Sequence, residues 1–166
     1  MRSFASIDEL PDDERALVQA ARQARDLAYA PYSRFLVGAA LRLDDGRIVV
    51  GANQENASYG LSVCAERTAV WNSWIAGHAG RLRGIAVTGG HASVAIAPPW
   101  SGREQATPIA PCGACRQVLV EARYRLRLVV PDASLFVLLD SLGGPLHRHD
   151  DILELLPGAF DPSALL

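Results

Sequence analysis

Apolar residues recur every three or four positions in the first part of the chain, which is the spacing of a helix that buries one face. Acidic residues at the start of this stretch suit the dipole of a helix N-terminus, and Pro31 is expected to end the helix. Similar signals occur three more times along the chain. The segments predicted as helices are residues 11–30, 64–77, about 112–121 and 151–156.

Runs of apolar and β-branched residues bounded by turn residues predict strands between these helices. Asp44-Asp45-Gly46 is typical of the tight turn of a hairpin. The segments predicted as strands are residues 35–43, 48–53, 85–87, 126–130 and 135–139. Strands that alternate with helices predict an α/β fold with helices on the faces of a sheet, here as a single domain over residues 1–166.

Composition narrows the class of protein without identifying it. The chain has 166 residues, 49% of them hydrophobic, which is enough for one core. A formal net charge of −2 gives no electrostatic reason to expect nucleic acid as a partner. No apolar run approaches the length of a membrane span, and the N-terminus lacks the core of a signal peptide. Three clustered cysteines without a targeting signal are typical of a reducing cytosol, so a cytoplasmic protein is expected.

All three cysteines fall within one pattern of metal ligands. Cys64 precedes Ala65-Glu66, and Cys112 and Cys115 belong to the sequence Pro-Cys-Gly-Ala-Cys. Three cysteines and one non-ligand glutamate make up a catalytic zinc site whose fourth coordination position stays open for water. The spacing matches the signature of zinc-dependent deaminases, in which His or Cys precedes x-Glu and Pro-Cys-x-x-Cys follows later.

Cysteine binds zinc as a thiolate, so the site needs groups that stabilise negative charge. Cys64 and Cys112 are each predicted at the start of a helix, where free N–H groups and the helix dipole favour an anion. Arg67 could compensate the charge of the thiolates by bonding to them, and Arg116 is the other candidate for that role. Glu66 is poorly placed to be a fourth ligand and is instead expected to take a proton from water.

Two other interpretations of the cysteines remain open. A lone Cys-x-x-Cys can be a redox motif, although the third cysteine before Ala-Glu argues against it. A closed structural zinc site would need a fourth ligand, which His78, His91, His147 or His149 could supply. Each of these histidines lies in a polar or glycine-rich stretch and is expected to be solvated.

The chain resembles the cytidine deaminases of the small homotetrameric type, which act on nucleosides. The matching segments are residues 30–35 (APYSRF), 37–41 (VGAAL), 51–59 (GANQENASY), 64–69 (CAERTA), 111–117 (PCGACRQ) and 155–160 (LLPGAF). These segments run in the order of the family from about residue 11 to residue 160. The resemblance implies a three-layer α/β/α fold around a mixed five-stranded sheet.

The resemblance also implies how substrate is held. Cys64, Cys112 and Cys115 would hold one Zn²⁺ per subunit, and Glu66 would shuttle protons. The residues that would contact substrate are Phe35 at the pyrimidine ring, Asn53 and Glu55 at the ribose 3′-hydroxyl, and Ala65. Without the resemblance, the polar pair would be interpreted as a strand edge, and the aromatic residue would be as readily part of the core as of a substrate pocket. The residues that would act across a subunit interface of the homotetramer are Ala57, Tyr59 and Phe160.

The implied reaction is hydrolytic deamination of cytidine or deoxycytidine, in which water activated at zinc attacks C4 and ammonia leaves. The expected partner is a small pyrimidine nucleoside, with no organic cofactor, nucleic acid or membrane. A blasticidin-type antibiotic deaminase is the first alternative, but it is not expected to carry the full Asn-x-Glu-Asn-Ala segment. A polynucleotide editing enzyme would usually place His where Cys64 stands. An inactive zinc scaffold would not need Asn53, Glu55 and Glu66.

Two segments are longer than the family usually needs. Residues 89–110, rich in Pro, Gly and Ser, are expected to form a lid or an inserted loop, and Pro98-Pro99-Trp100 could fold over the pocket. Residues 123–132 also look inserted, with arginines at positions 123, 125 and 127. We expect these arginines on a solvated strand face, with phosphate or partner binding as the alternative. Both segments leave the preferred substrate open.

Overall fold

The computed structural model describes residues 1–91, 108–142, 144–160 and 162. Within these residues, six strands form one mixed sheet in the order β1-β6-β5-β4-β2-β3. The strands are β1 (Arg2–Phe4), β2 (Phe35–Leu43), β3 (Ile48–Ala52), β4 (Leu82–His91), β5 (Phe136–Asp140) and β6 (Leu146–His149). β4 and β5 are parallel, while the other neighbouring strands are antiparallel. The predicted α/β fold is confirmed, although the sheet has six strands where five were expected.

Three helices cover the two faces of the sheet: α1 (Asp12–Arg25), α2 (Ala65–Ile75) and α3 (Gly113–Arg127). Alternate residues of one strand face opposite layers, as the pleat requires. In β2, Ala40 packs in the core cluster that contains the buried residues of α1, whereas Ala39 and Leu41 pack in the cluster that contains those of α2 and α3. The arrangement is therefore three layers, with α2 and α3 side by side on one face.

Two glycines allow the backbones of α1 and α2 to pack directly against the backbone of the sheet. A Cβ atom on Gly51 of β3 would lie 2.3 Å from the backbone nitrogen of Ala69 in α2. On the other face, a Cβ atom on Gly38 of β2 would lie 2.0 Å from the carbonyl oxygen of Ala21 in α1. No side chain fits in either gap, so these two positions fix the depth at which α1 and α2 pack.

Helix α1 ends at Arg25, five residues before the predicted end. The chain leaves the helix because Tyr29 pairs in extended conformation with the segment after β3: its N–H donates to Asn53 O at 3.0 Å, and its carbonyl accepts from Glu55 N at 2.8 Å. β4 is much longer than the predicted strand and includes Gly89–His91 from the expected loop. The rest of that loop, including Pro98-Pro99-Trp100, falls on residues 92–107, outside the described residues.

The predicted strand at residues 126–130 is wrong. Leu126 and Arg127 belong to α3, and residues 128–130 form the turn that follows it. The arginines at 123, 125 and 127 therefore lie on a helix and not on a strand face. Strands β1 and β6 were not predicted, and the short C-terminal helix is a single 3₁₀ turn, Ile152–Glu154. The described part of the chain contains no helix long and apolar enough to cross a membrane.

Candidate metal centre and adjoining pocket

Three thiols from two helices converge on the same face of the sheet. The Cys64 and Cys112 Sγ atoms are 4.0 Å apart, the Cys112 and Cys115 Sγ atoms are 3.5 Å apart, and all three lie within 4.8 Å of one another. Sulfur atoms at tetrahedral positions around Zn²⁺ would be about 3.8 Å apart, given Zn–S distances near 2.3 Å. The sulfur geometry therefore fits a zinc ion with three protein ligands.

The ligands occupy the first positions of their helices. Cys64 is the N-cap of α2 and Cys112 is the N-cap of α3, while Cys115 lies in the first turn of α3. The first N–H groups of a helix have no partner within it, and the helix dipole places positive potential there. Two helix N-termini thus face one cluster of sulfur atoms, which favours the thiolate form that binds metal.

The electrostatics of the cluster agree with this placement. A hydrogen bond from Cys115 and the nearby Arg67 guanidinium lower the pKa of the Cys64 thiol to about 5. The same hydrogen bond and burial raise the pKa of the Cys115 thiol. One thiolate therefore forms readily, and metal binding would displace the remaining protons.

The two candidate arginines make different contacts. The Nη2 atom of Arg67 lies 3.8 Å from Cys64 Sγ and 3.4 Å from the Ser62 carbonyl, and its guanidinium stacks on Trp71. Arg116 instead donates from Nε to the Pro111 carbonyl and from Nη1 to the Leu155 carbonyl, both at 2.7 Å. Arg67 is thus the arginine beside a thiol, whereas the hydrogen bonds of Arg116 are to main-chain carbonyls.

A pocket of about 520 Å³ opens beside the thiols. Its lining residues are Phe35, Val37, Asn53, Gln54, Glu55, Ser62, Val63, Cys64, Glu66, Ile109, Ala110 and Cys112. The volume suits a small organic molecule. The pocket brings together the predicted proton carrier, two of the predicted metal ligands and three of the four predicted substrate-binding residues.

Glu66 lies in this pocket but is only 4% exposed. Burial is the main cause that raises the pKa of its carboxyl, and the negative charge of Cys64 raises it further. A raised pKa makes a carboxylate a stronger base, which suits a group that must accept a proton and then release it. Ala65, its neighbour, is fully buried in the core and is not among the described residues that line the pocket.

Asn53 and Glu55 line the same wall and both hold the chain around Phe35. Asn53 accepts from Val37 N at 2.8 Å and donates to the Phe35 carbonyl at 2.9 Å. Glu55 accepts from the N–H groups of Tyr32 and Ser33 at 3.0 and 3.2 Å, and from the Ser33 hydroxyl. These hydrogen bonds, above all that of the Ser33 hydroxyl, lower the pKa of Glu55, which keeps its carboxylate charged.

Of the remaining predicted site residues, Phe35 lines the pocket and the three proposed to act across an interface do not. Phe35 meets the His91 ring edge-on, with ring centroids 5.3 Å apart. Ala57 is exposed, and Tyr59 and Phe160 are 76% and 56% exposed. These last three do not line the pocket of their own chain among the residues described for it.

The histidines do not complete a closed site. Within the described residues, the candidate metal cluster contains the three cysteines and no histidine. The expectation that all four histidines are solvated is wrong for His149, which is buried on β6 with its Nδ1 atom 3.2 Å from Glu154 Oε2. For His91 the expectation is confirmed, since this residue is exposed although its ring contacts Phe35.

Six lining residues were not predicted: Val37, Gln54, Ser62, Val63, Ile109 and Ala110. Val37 could have been found, since it follows Phe35 by two positions on the same strand. Ile109 and Ala110 directly precede the second zinc motif, which is also a usable signal. Ser62 and Val63 show no sequence signal that would have identified them. They reach the pocket because Val63 pairs with Gln54 through two backbone hydrogen bonds of 2.9 Å.

Comparison with known proteins adds independent information. Residues 11–130 match the family described as the cytidine and deoxycytidylate deaminase zinc-binding region. The cytidine deaminase of Halalkalibacterium halodurans is 43% identical over 148 residues, which is 89% of this chain and 94% of that protein. The cytidine deaminase of Mycobacterium tuberculosis is 47% identical over 113 residues, 68% of this chain and 74% of that protein.

Solved structures agree with the sequence matches. The crystal structure of cytidine deaminase from Burkholderia pseudomallei superposes with a TM-score of 0.69 at 42% identity, over 87% of this chain and 97% of that one. The crystal structure of cytidine deaminase from Mycobacterium tuberculosis gives a TM-score of 0.63 at 39% identity, over 90% of this chain and 98% of that one. Both matches extend over nearly the whole length of the solved chains.

Proposed function

The chain belongs to the cytidine and deoxycytidylate deaminase family, and we propose that it is a zinc enzyme that hydrolyses cytidine or deoxycytidine to the corresponding uridine and ammonia. The observation that carries the proposal is the shared pocket, in which Glu66 and two metal-ligand cysteines face Asn53 and Glu55. A proton carrier and an open metal position at one end, with hydrogen-bonding groups for a sugar at the other, suit a nucleoside.

The charge of the pocket supports a nucleoside and not a nucleotide. Among its described lining residues, the carboxyl groups are those of Glu55 and Glu66, and none is Arg, Lys or His. A phosphate group would meet negative charge there without a cation to compensate it. An uncharged sugar hydroxyl meets no such repulsion and can donate a hydrogen bond to the carboxylate of Glu55.

The residues of the chain account for the proton transfers. Cys64, Cys112 and Cys115 would hold the zinc ion, which would supply a Lewis acid that acidifies water. Glu66 accepts a proton from that water as the water oxygen bonds to C4 of the ring, and it returns the proton to N3. Glu66 then carries the second water proton to the amino group, the C4–N bond breaks, and ammonia leaves.

Other residues position the substrate. Phe35 would pack on the pyrimidine ring, and Asn53 and Glu55 would hold the ribose 3′-hydroxyl with the lone pairs and the N–H that their backbone contacts leave free. Arg67 beside Cys64 compensates part of the charge of the three thiolates. Ala65 is fully buried and does not line the described pocket, so no substrate contact is proposed for it.

We extend the proposal to assembly and setting. The chain would act as one catalytic domain in pyrimidine salvage, and as a homotetramer in which Ala57, Tyr59 and Phe160 approach a neighbouring site. Support comes from apolar side chains exposed beside the pocket, with Tyr59 at 76% and Leu61 at 70%. A cytoplasmic setting is supported by the three thiols, which must stay reduced to bind zinc.

The test is loss of the cytosine absorbance band when the zinc-loaded protein is mixed with cytidine, deoxycytidine, deoxycytidine 5′-monophosphate or blasticidin S. We expect turnover of one or both nucleosides and not of the monophosphate. Turnover of blasticidin S alone would replace the proposal with an antibiotic deaminase.

Glu66→Gln is expected to keep zinc and to lose at least about 100-fold in turnover, because proton transfer is lost while shape is kept. Glu121→Gln, a surface change of the same kind on α3, is the matched control and should behave as the wild type. Zinc content is measured on each sample with a chromophoric chelator. Near-normal turnover by Glu66→Gln would rule out Glu66 as the proton carrier.

A further inference from the structure

Arg116 joins three parts of the molecule that meet at the metal centre. It lies in α3, one residue after Cys115, and its side chain is part-buried. Its Nε donates to the carbonyl of Pro111 and its Nη1 donates to the carbonyl of Leu155, both at 2.7 Å. Hydrogen bonds of this length from a charged donor are strong, and partial burial reduces competition from water.

The position of the Pro111 carbonyl affects both a metal ligand and a wall of the pocket. Pro111 lies between Cys112, which supplies a metal ligand, and Ile109 and Ala110, which form a wall of the pocket. Proline has no N–H, so its carbonyl is the one backbone group through which hydrogen bonds can hold it. Cys112 is the most exposed of the three ligands, and no side chain caps the helix that it begins.

The Leu155 carbonyl belongs to the C-terminal segment that covers α3. Leu155, Leu156 and Ala159 pack against the core cluster of α2 and α3. A second hydrogen bond, from Gln117 Nε2 to the Phe160 carbonyl at 2.9 Å, holds the same segment one residue along the helix. The C-terminal segment is therefore fixed to the core and provides a firm anchor for the guanidinium.

From these contacts we infer that Arg116 is a positioning residue, which braces the Cys112 ligand and the adjoining pocket wall against the C-terminal segment. It acts through the main chain at Pro111 and not by contact with a thiolate. The inference rests on the zinc site of the proposed function. It predicts that loss of the guanidinium loosens zinc even when the fold survives.

Arg123 supplies a matched control. It lies two turns further along α3, has a similarly buried side chain, and also holds the C-terminal part of the chain, through Asp151 at 2.7 Å. Its hydrogen bond does not involve the loop that carries Cys112. Arg116→Ala and Arg123→Ala therefore remove the same group from the same helix, and only the first releases Pro111.

The experiment measures the rate at which each folded protein loses zinc to a chromophoric chelator, together with its melting temperature. We expect Arg116→Ala to lose zinc about 10-fold faster than the wild type or more, as is typical when groups that orient metal ligands are removed. Arg123→Ala should stay within about 2-fold of the wild type, because its hydrogen bond does not reach Pro111. Added guanidinium at low, non-denaturing concentration should slow zinc loss from Arg116→Ala and leave Arg123→Ala unchanged.

Equal zinc loss from the two alanine variants would overturn the inference. If Arg116→Ala does not fold, the comparison of Arg116→Lys with Arg123→Lys decides, because one ammonium group cannot hold two carbonyls in the fork geometry of arginine. A wild type that binds no zinc overturns both this inference and the proposed function. A wild type that binds zinc but deaminates neither nucleoside overturns only the proposed function, since the zinc dissociation rates still test the positioning role of Arg116.

Discussion

Glu55 has one structural role, and we propose a second, in substrate binding; both depend on its charge. Its carboxylate caps the N–H groups of Tyr32 and Ser33, and it also faces the pocket where we place the ribose. The hydroxyl of Ser33 and these N–H groups lower its pKa, so it remains ionised below the pH at which an exposed glutamate is protonated. A group in this state is a strong acceptor for a sugar hydroxyl.

Glu55→Gln tests the sugar contact. We expect kcat/KM for cytidine to fall about 10- to 100-fold, since a hydrogen bond to a charged group contributes about 1.5–3 kcal/mol. For 3′-deoxycytidine, which lacks the hydroxyl, the same substitution should cost much less. The two substrates and two proteins form a thermodynamic cycle, measured by initial rates of deamination.

Ser33→Ala is the control for this cycle, because it removes a hydrogen bond to Glu55 but leaves the charge in the pocket. It should affect cytidine and 3′-deoxycytidine equally. If Glu55→Gln also lowers kcat/KM for both substrates by the same factor, Glu55 acts only by holding the Tyr32–Ser33 backbone. The assignment to the 3′-hydroxyl would then be wrong.

At the scale of elements, the position of α2 against β3 fixes where Cys64 and Glu66 stand. Gly51→Ala would place a methyl group 2.3 Å from Ala69 N, and Gly38→Ala would place one 2.0 Å from the Ala21 carbonyl on the other face. Each substitution is expected to destabilise the fold by about 1–3 kcal/mol, which is typical of overpacking. Only Gly51→Ala should also speed zinc loss, because α2 begins at a metal ligand and α1 does not.

The measurement pairs urea unfolding with zinc dissociation for the two alanine variants. Gly38→Ala serves as the control, since α1 carries no metal ligand and packs on the opposite face. Equal zinc loss from two equally destabilised variants would show that the centre follows global stability. The depth of α2 would then have no specific effect on the metal site.

The cluster of three cysteines could be predicted from sequence because it depends on residue type at short spacing, and each cysteine lies at a helix start that local signals also mark. Residues 126–130 show where such signals fail. Their apolar, β-branched run with arginines before it fits a strand, but Leu119, Ala122 and Leu126 also repeat at helical spacing and are fully buried. Burial of that stripe against the sheet extends α3 to Arg127, and Leu128 and Val129 are left exposed.

Short strands at the sheet edge were missed for a different reason. β6 (Leu146–His149) is mostly polar and β1 (Arg2–Phe4) has three residues, so neither has an apolar alternation to detect. They form because β5 offers an edge and because ion pairs hold them, such as Arg148 with Glu14 of α1. Those partners are 134 positions apart in the chain, beyond the reach of any local pattern.

At the scale of the whole molecule, Phe160 gives the sharpest test of assembly. Its carbonyl accepts a hydrogen bond from Gln117, yet the residue is 56% exposed and does not line the described pocket of its own chain. An aromatic ring held out into solvent is suited to contact another subunit. If Phe160 completes a neighbouring site, each site takes Glu66 from one subunit and Phe160 from another. Phe160→Ala and Glu66→Gln then remove groups that different subunits supply to the same site.

Co-refolding the two variants should therefore restore activity. Each is expected to be nearly inactive alone, but a mixed tetramer contains sites with Glu66 from one chain and Phe160 from the other. With random 1:1 assembly, about a quarter of all sites would have both groups. The readout is deamination rate per subunit, with the tetramer checked by analytical ultracentrifugation.

Asn53→Ala mixed with Glu66→Gln is the matched control, because both groups line the pocket of one chain. In that mixture every site with Glu66 lacks Asn53, so no activity should return. Recovery in the first mixture and not in the second can arise only if Phe160 acts between subunits. Without recovery in the first mixture, Phe160 either acts within its own chain or is dispensable, and normal activity of Phe160→Ala alone would identify the second case.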